Sequence, residues 1–226
     1  EIHDDFFVSQ WTAQGWLRGQ GVFNTETPSF NKNYKQGADA IPVPILTHEI
    51  GQYAVYPNMA EIKKYKGVLK PLNFMSIRED LRKKGLLNKA PRYTYASGKL
   101  AALLYKEEIE RAMKTAQVSG YQLLDLHDFP GQGTALVGLL DAFWDNKGIV
   151  EDSYFRQFCA PVVPLLLFEK ATYRNNERFE GRIAVSNYGE KLLTRQTVKW
   201  SIQDNGKRIA EGSLQIDIAR GYQGDL

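Results

Sequence analysis

One apolar run constrains this chain more than any other segment: Ile41-Pro-Val-Pro-Ile-Leu-Thr-His-Glu49-Ile-Gly-Gln-Tyr53. Val43 to Leu46 shows no polar alternation. It therefore reads as a strand buried on both faces, the kind a parallel sheet carries beneath covering helices. Parallel α/β folds place their chemistry where such a strand runs out. Glu49 is a charge at that point, and Gly51 lets the chain turn after it. A second run, Gly120-Tyr-Gln-Leu-Leu-Asp-Leu-His-Asp128, also ends in polar groups. Two buried strands that deliver carboxylates at one end point to the floor of an active site.

Between the two runs the punctuation is helical. Asn58-Met-Ala-Glu61 has the cap spacing of a helix start, with Gly67 as a stop; Ser76-Ile-Arg-Glu79 repeats the signal, with Gly85 ending it. The spacing predicts a longer helix from about Ser97 to Ala116. Ala102, Tyr105, Ile109, Ala112, Met113 and Ala116 share one face, and the pairs Glu107–Arg111 and Glu110–Lys114 lie on the other. The order strand, helices, strand is a parallel crossover. Upstream, Asp5 to Trp11 is a short strand candidate, and residues 12–40 have too little periodicity for anything but a functional or disordered loop.

The pattern changes after about residue 160. Val163–Phe168, Arg178–Val185, Thr197–Ile202 and Arg208–Ile218 read as strands, and Asp204-Asn-Gly206 is a two-residue hairpin signal between the last two. The expected division is an α/β region over 1–159 and an antiparallel, immunoglobulin-like β-sandwich over 160–226. The sandwich is expected to be incomplete, since about seven strands are usual. The start at Glu1 without a methionine, together with this short strand count, reads as a piece of a longer polypeptide.

Several function classes fall away. The net charge is +3, with acids and bases interspersed as in Lys106-Glu-Glu-Ile-Glu-Arg111, so no basic stripe argues for nucleic acid. A lone Cys159 rules out an internal disulfide framework. No run approaches the roughly 18 apolar residues of a membrane span, so no membrane insertion is expected. His48-Glu49 invites a zinc reading, but Gln52 occupies the position of the second histidine, and the segment reads as strand rather than helix. Pro130-Gly-Gln-Gly133 lacks the glycine spacing of a nucleotide site, and no Gly-x-Ser-x-Gly elbow marks an α/β hydrolase.

Taken alone, Glu49 fits a nucleophile, a general base or a structural carboxylate. Asp125 and His127 fall on one face of their strand end and Asp128 on the other, and each fits either ligand contact or a buried hydrogen-bonded cluster. Trp11 ends the first strand candidate, and Trp16 and Trp144 sit in loops. An exposed indole is a platform for the C–H face of a pyranose, although a packed one is only core. Trp200 alternates within a strand and is expected in the core.

On these residues, positions 1 to about 160 resemble the last third of the catalytic barrel of glycoside hydrolase family 2, the β-galactosidase and β-glucuronidase family. The remainder resembles the start of the β-sandwich that follows that barrel. Asp5 to Trp11 is similar to the strand that ends in an aromatic at the sugar site. Pro44-Ile-Leu-Thr-His-Glu49 is similar to the strand that ends in the nucleophile, and Tyr121 to Asp128 to the last barrel strand. His48-Glu-Ile-Gly-Gln52 with Leu124 to Gly133 further resembles a sugar-binding-domain subgroup from gut Bacteroidetes. The resemblance departs at Ile50, where better-known members carry an aromatic, and at Leu124 and Leu126, where they carry tryptophan. It contains no match to the strand with the acid/base glutamate.

The resemblance implies a fold of α/β plus all-β class: the C-terminal portion of a (β/α)8 TIM barrel, then a partial immunoglobulin-like β-sandwich. It implies a retaining glycosidase acting on oligo- or polysaccharides, with Glu49 as nucleophile and Trp11, His48, Asp125, His127, Asp128 and Trp144 as substrate-binding residues. No metal and no cofactor are implied. The partners are the carbohydrate substrate and N-terminal domains of the same polypeptide, without which the isolated piece is expected to be inactive. The implied location is periplasmic or extracellular. A non-catalytic carbohydrate-binding or scaffold protein is the alternative.

Overall fold

The computed structural model describes residues 4–19, 23, 25–26, 29–224 and 226. In chain order the elements are strands β1 (Phe7–Ser9), β2 (Trp11–Thr12) and β3 (Gly15–Trp16), helix α1 (Lys35–Ala38), strand β4 (Ile45–Ile50), helices α2 (Leu72–Lys83) and α3 (Ala90–Met113), strand β5 (Val118–Leu123), helix α4 (Asp152–Phe155), and strands β6 (Val162–Leu167), β7 (Arg182–Asn187), β8 (Leu193–Asp204), β9 (Lys207–Ile218) and β10 (Gly221–Gln223). The Asn58 signal caps a 3₁₀ segment, Met59–Lys64, by accepting from the Ala60 N–H. Positions 20–22, 24, 27 and 28 of the expected loop at 12–40 lie outside the described residues.

Strand β4 is the middle of a parallel sheet ordered β1–β4–β5. Helix α3 begins seven residues earlier than its periodicity predicts, with Pro91 in its first turn, where the missing N–H costs nothing. Its apolar stripe closes two clusters. Ala112 meets Ile45, Val118, Leu17, Tyr34 and Ala38. Ile109 and Met113 meet Ile50, Phe158, Val163, Leu165, Leu167 and Ala184. The second cluster spans the expected boundary at 159/160, so the end of β4 is packed against strands from the C-terminal region.

The ion pairs expected on the other face of α3 do not face solvent. Glu107, Glu110, Arg111 and Lys114 are all buried. The reason is the long loop before α1, which folds over them. The Arg111 guanidinium lies 5.0 Å from the Phe23 ring and 5.7 Å from the Tyr34 ring, and Lys114 Nζ donates to the Phe30 carbonyl at 2.7 Å. A helix whose last turns are covered on all sides must bury whatever those turns carry.

The expected fold class is corrected as well. The described residues form a mixed α/β structure of small sheets, in which neither the C-terminal part of a (β/α)8 TIM barrel nor an immunoglobulin-like β-sandwich is evident. Its parallel strands form an open sheet of three, with β1 and β5 as the edges among the described residues. The C-terminal strands form a separate three-stranded sheet, β10–β7–β6, and a two-stranded ribbon, β8–β9. Two facing sheets would make a sandwich, but β6 and β7 bury Val163, Leu165, Leu167 and Ala184 against α3 and Ile50 instead. Strand β8 is exposed along most of its length. Trp200, expected in a core, is 41% exposed, with its indole over Gly212. The Asp204-Asn-Gly206 signal holds: Asn205 and Gly206 both have positive φ, 47° and 80°, as a type I′ turn requires.

Candidate functional site

Glu49 owes its position to a bulge. Thr47 pairs with Tyr121 and Ile50 with Leu123, so three steps along β4 match two along β5. Strict alternation would place Glu49 on the face of Ile45 and Thr47, both fully buried. The extra residue breaks that parity. Ile50 takes the buried position, and Glu49 turns outward with its side chain 33% exposed. The bulge puts Glu49 at φ 55°, in the left-handed region that a residue with a Cβ seldom occupies. The turn is completed by Gly51 at φ 91°. A Cβ there would lie 2.0 Å from Tyr105 Cε1, so only glycine fits.

The two oxygens of Glu49 have different surroundings. Oε2 accepts from the Gln10 amide and faces Arg18 Nη1 at 3.4 Å. Arg18 Nη1 also donates to the Glu49 carbonyl at 3.0 Å, and Nη2 reaches Gln52 Oε1 at 3.4 Å. Oε1 accepts no hydrogen bond among the described residues; His48 Nε2 lies 3.6 Å from it. His48 is held from the other side, where Nδ1 meets Gln122 Oε1 of β5 at 2.6 Å. Gln10 follows β1 directly, and its carbonyl accepts from the Leu17 N–H at 2.9 Å. That bond closes the β2–β3 hairpin, where Trp11 and Trp16 sit opposite each other and are 60% and 47% exposed.

Behind Glu49, helix α3 supplies Glu108, whose carboxylate is fully buried. Its Oε1 accepts from the Gly19 N–H at 2.5 Å; Oε2 accepts from the Gly51 N–H at 2.9 Å and the Tyr53 hydroxyl at 2.7 Å. Burial pushes this carboxyl above the ordinary range, opposed by those three donors. Tyr105, one turn earlier, donates to the Val137 carbonyl at 2.7 Å and the Asp125 carbonyl at 3.3 Å. One helical face thus fixes the loops that follow β4 and β5. The apolar periodicity locates Tyr105 on that face, but no sequence signal marks Glu108, since its three partners lie 55 to 89 residues away.

After β5 the expected residues separate. Asp125 is half-buried, with Oδ1 accepting from the Leu126 N–H at 3.0 Å. With Gln52, Phe129, Gln132 and Val137 it lines a groove of about 440 Å³. Gln52 therefore bridges the Arg18–Glu49 pair and this groove. His127 and Trp144 come together, with ring centroids 4.4 Å apart. Trp144 is 61% exposed, at φ 67°. Asp128 turns inward: it pairs with Lys147 at 2.6 Å, accepts from the Gly138 N–H at 2.9 Å, and is only 2% exposed. Its carboxyl is raised by burial and holds the loop from within. Beside it lies buried Glu61, pushed up to about 7 by burial and by the charges of Asp141 and Asp128. Among the described residues, no group of three His, Cys, Asp or Glu side chains could hold a metal ion, and no helix is long and apolar enough to cross a membrane.

Residues 177–226 match a family model described as a domain of unknown function, DUF8488. The match takes in β7 to β10 and leaves out every residue around Glu49. No curated protein matches the chain.

Proposed function

We propose that this chain carries the nucleophile side of a retaining glycosidase site, with Glu49 as the attacking carboxylate. The observation that carries the reading is the asymmetry of that carboxylate. Oε2 is fixed by Gln10 and Arg18, whereas Oε1, on a side chain that a left-handed bulge leaves one-third exposed, accepts no hydrogen bond among the described residues. Strain of this kind persists where geometry serves a purpose beyond stability. In the reaction, Oε1 attacks the anomeric carbon as the bond to the leaving oxygen breaks, giving a glycosyl ester. A second carboxyl group, about 5–5.5 Å away in such enzymes, protonates the leaving oxygen and then takes a proton from the water that cleaves the ester. That acid/base group is supplied from N-terminal domains of the same polypeptide, at a periplasmic or extracellular location. Trp11 offers its exposed ring to the sugar, Asp125 lines the groove for further hydroxyls, and the His127–Trp144 pair presents a second exposed ring. His48 steadies the Glu49 side chain from the Oε1 side.

A second reading is a binding site without chemistry. The exposed Trp11 and Trp16 favour it, since indole platforms suffice for sugar binding. The full-length polypeptide containing this chain should be incubated with 2-deoxy-2-fluoro-β-galactosyl, -glucosyl and -glucuronyl fluorides and analysed by peptide mass spectrometry. A glycosyl adduct on Glu49 that is lost in Glu49→Gln is the expected result. Calorimetric binding of a sugar with no adduct from any reagent would move the assignment to the binding reading.

A further inference from the structure

We infer that Glu108 is a positioning residue for Glu49: its buried carboxylate sets the spacing between the Arg18 and Glu49 segments and holds the left-handed bulge in place. The inference rests on the proposed role of Glu49, because positioning matters only if that carboxylate acts.

The argument starts from the cost of the group. A carboxylate with no exposed surface loses its hydration, and a leucine or methionine at the same helical position would fill the space without that loss. Glu108 is retained in a place where its two oxygens divide the work. Oε1 holds only the segment of Arg18, through the Gly19 N–H. Oε2 holds only the segment after Glu49, through the Gly51 N–H and the Tyr53 hydroxyl. The fixed separation of two oxygens on one carbon is therefore the gauge between the two halves of the Arg18–Glu49 pair. No strand ladder joins Arg18 to Gly51, so ladder pairing does not do this instead.

The glycines say the same. A Cβ on Gly19 would stand 2.6 Å from the Tyr53 hydroxyl and 3.1 Å from Glu108 Cδ, and one on Gly51 would overlap Tyr105. Both backbones are pressed against the helix so that their N–H groups reach one carboxylate. Replacing one oxygen by an amide NH₂ would set a donor against a donor at Gly19 or at Gly51. The Arg18 segment or the bulge would then be released while the packing volume stays the same.

The test uses the full-length polypeptide with Glu108→Gln, and reads three signals. Amide hydrogen exchange at Gly19 and Gly51 should accelerate roughly tenfold at one or both. The ¹³C shift of the Glu49 carboxyl should move. The rate constant for adduct formation with whichever 2-deoxy-2-fluoro glycosyl fluoride labels the parent should fall roughly 100-fold, with its inhibition constant altered far less. If the thermal transition drops but the Glu49 carbon signal and the labelling rate constant stay as in the parent, Glu108 is only a packing and stability residue and the inference is overturned. If the carbon signal and the amides respond but neither parent nor variant is labelled, positioning stands and the glycosidase reading fails. Should Glu108→Gln not fold, Tyr53→Phe removes one Oε2 donor while keeping the carboxylate. The Gly51 exchange and the Glu49 carbon signal should then move with Gly19 unchanged, and an unmoved Glu49 signal overturns the inference.

Discussion

The end of helix α3 and the β8–β9 ribbon are built from the same parts. Each has a short-range Arg–Glu pair, a glycine with positive φ, and an aromatic ring over a glycine. In the first, Arg111 and Glu107 are 3.1 Å apart with both side chains 3% exposed; in the second, Arg208 and Glu211 are 2.6 Å apart at 57% and 61%. Gly51 is jammed under Tyr105, whereas Gly206 has nothing within 4 Å of its absent Cβ. What differs is what covers each part. Around α3 a long loop and two sheets close over the polar groups, so their charges are answered by protein groups rather than by water. On the ribbon, water provides the match. Candidate chemistry is found where polar groups are enclosed, and the ribbon's equivalent parts have only local structural work.

The sharpest way to break this contrast is to place alanine at the two glycines. Gly51→Ala combines a left-handed residue with overlap of the Tyr105 ring, and should lose about 3–5 kcal/mol of stability or fail to fold. Gly206→Ala meets open space and should lose about 1–2 kcal/mol from the backbone alone. Urea titration of both variants checks the ratio; equal losses would remove enclosure as the explanation. The ion pairs should differ in the same sense. Arg111→Ala strands the buried Glu107 carboxylate and should cost about 3–5 kcal/mol. Arg208→Ala leaves Glu211 in water and should cost less than about 1 kcal/mol.

A smaller effect sharpens the comparison through pH. Glu61, 4% exposed, is held up to about 7, above its ordinary 4.5. The folded state therefore keeps a proton that the unfolded chain releases, so stability falls as pH rises from about 4.5 to about 7 and is level above that. The loss over that window is on the order of 3 kcal/mol at most. Glu61→Gln should remove it. Denaturation midpoints of parent and variant should converge near pH 4.5 and separate in favour of the variant by pH 7.5. A constant gap across that range would show that Glu61 is not the group responsible.

Much of the backbone was legible in the sequence, because it depends on local rules. The unbroken apolar run located β4, the one-face stripe located α3 to within a turn at its C-terminal end, Gly85 and the Asn205-Gly206 pair marked turns, and Glu49 was conspicuous as a charge at a strand end. What is not legible depends on contacts distant in sequence or on local irregularity. Helical spacing puts Glu107, Arg111 and Lys114 on the face other than the apolar stripe, and spacing carries no information about a loop arriving from eighty residues earlier. Glu108 carries no local signal for the same reason, and neither does the Lys147 partner of Asp128. The bulge at Glu49 was also invisible, since alternation predicts a side chain's face only while the register is regular. The barrel expectation rests on likeness of short motifs and the sandwich expectation on strand pattern, and neither fixes how sheets close or stack.

The left-handed backbone of Glu49 also has an evolutionary reading. A residue with a Cβ at φ 55° carries a penalty of about 1–2 kcal/mol that glycine does not, and one nucleotide change converts a glutamate codon to a glycine codon. Selection for stability alone thus pushes this position toward glycine by the shortest mutational step available. A lineage that had abandoned the carboxylate would be expected to drift there. Glutamate at this codon across divergent genomes would record continued use, and glycine would date its loss.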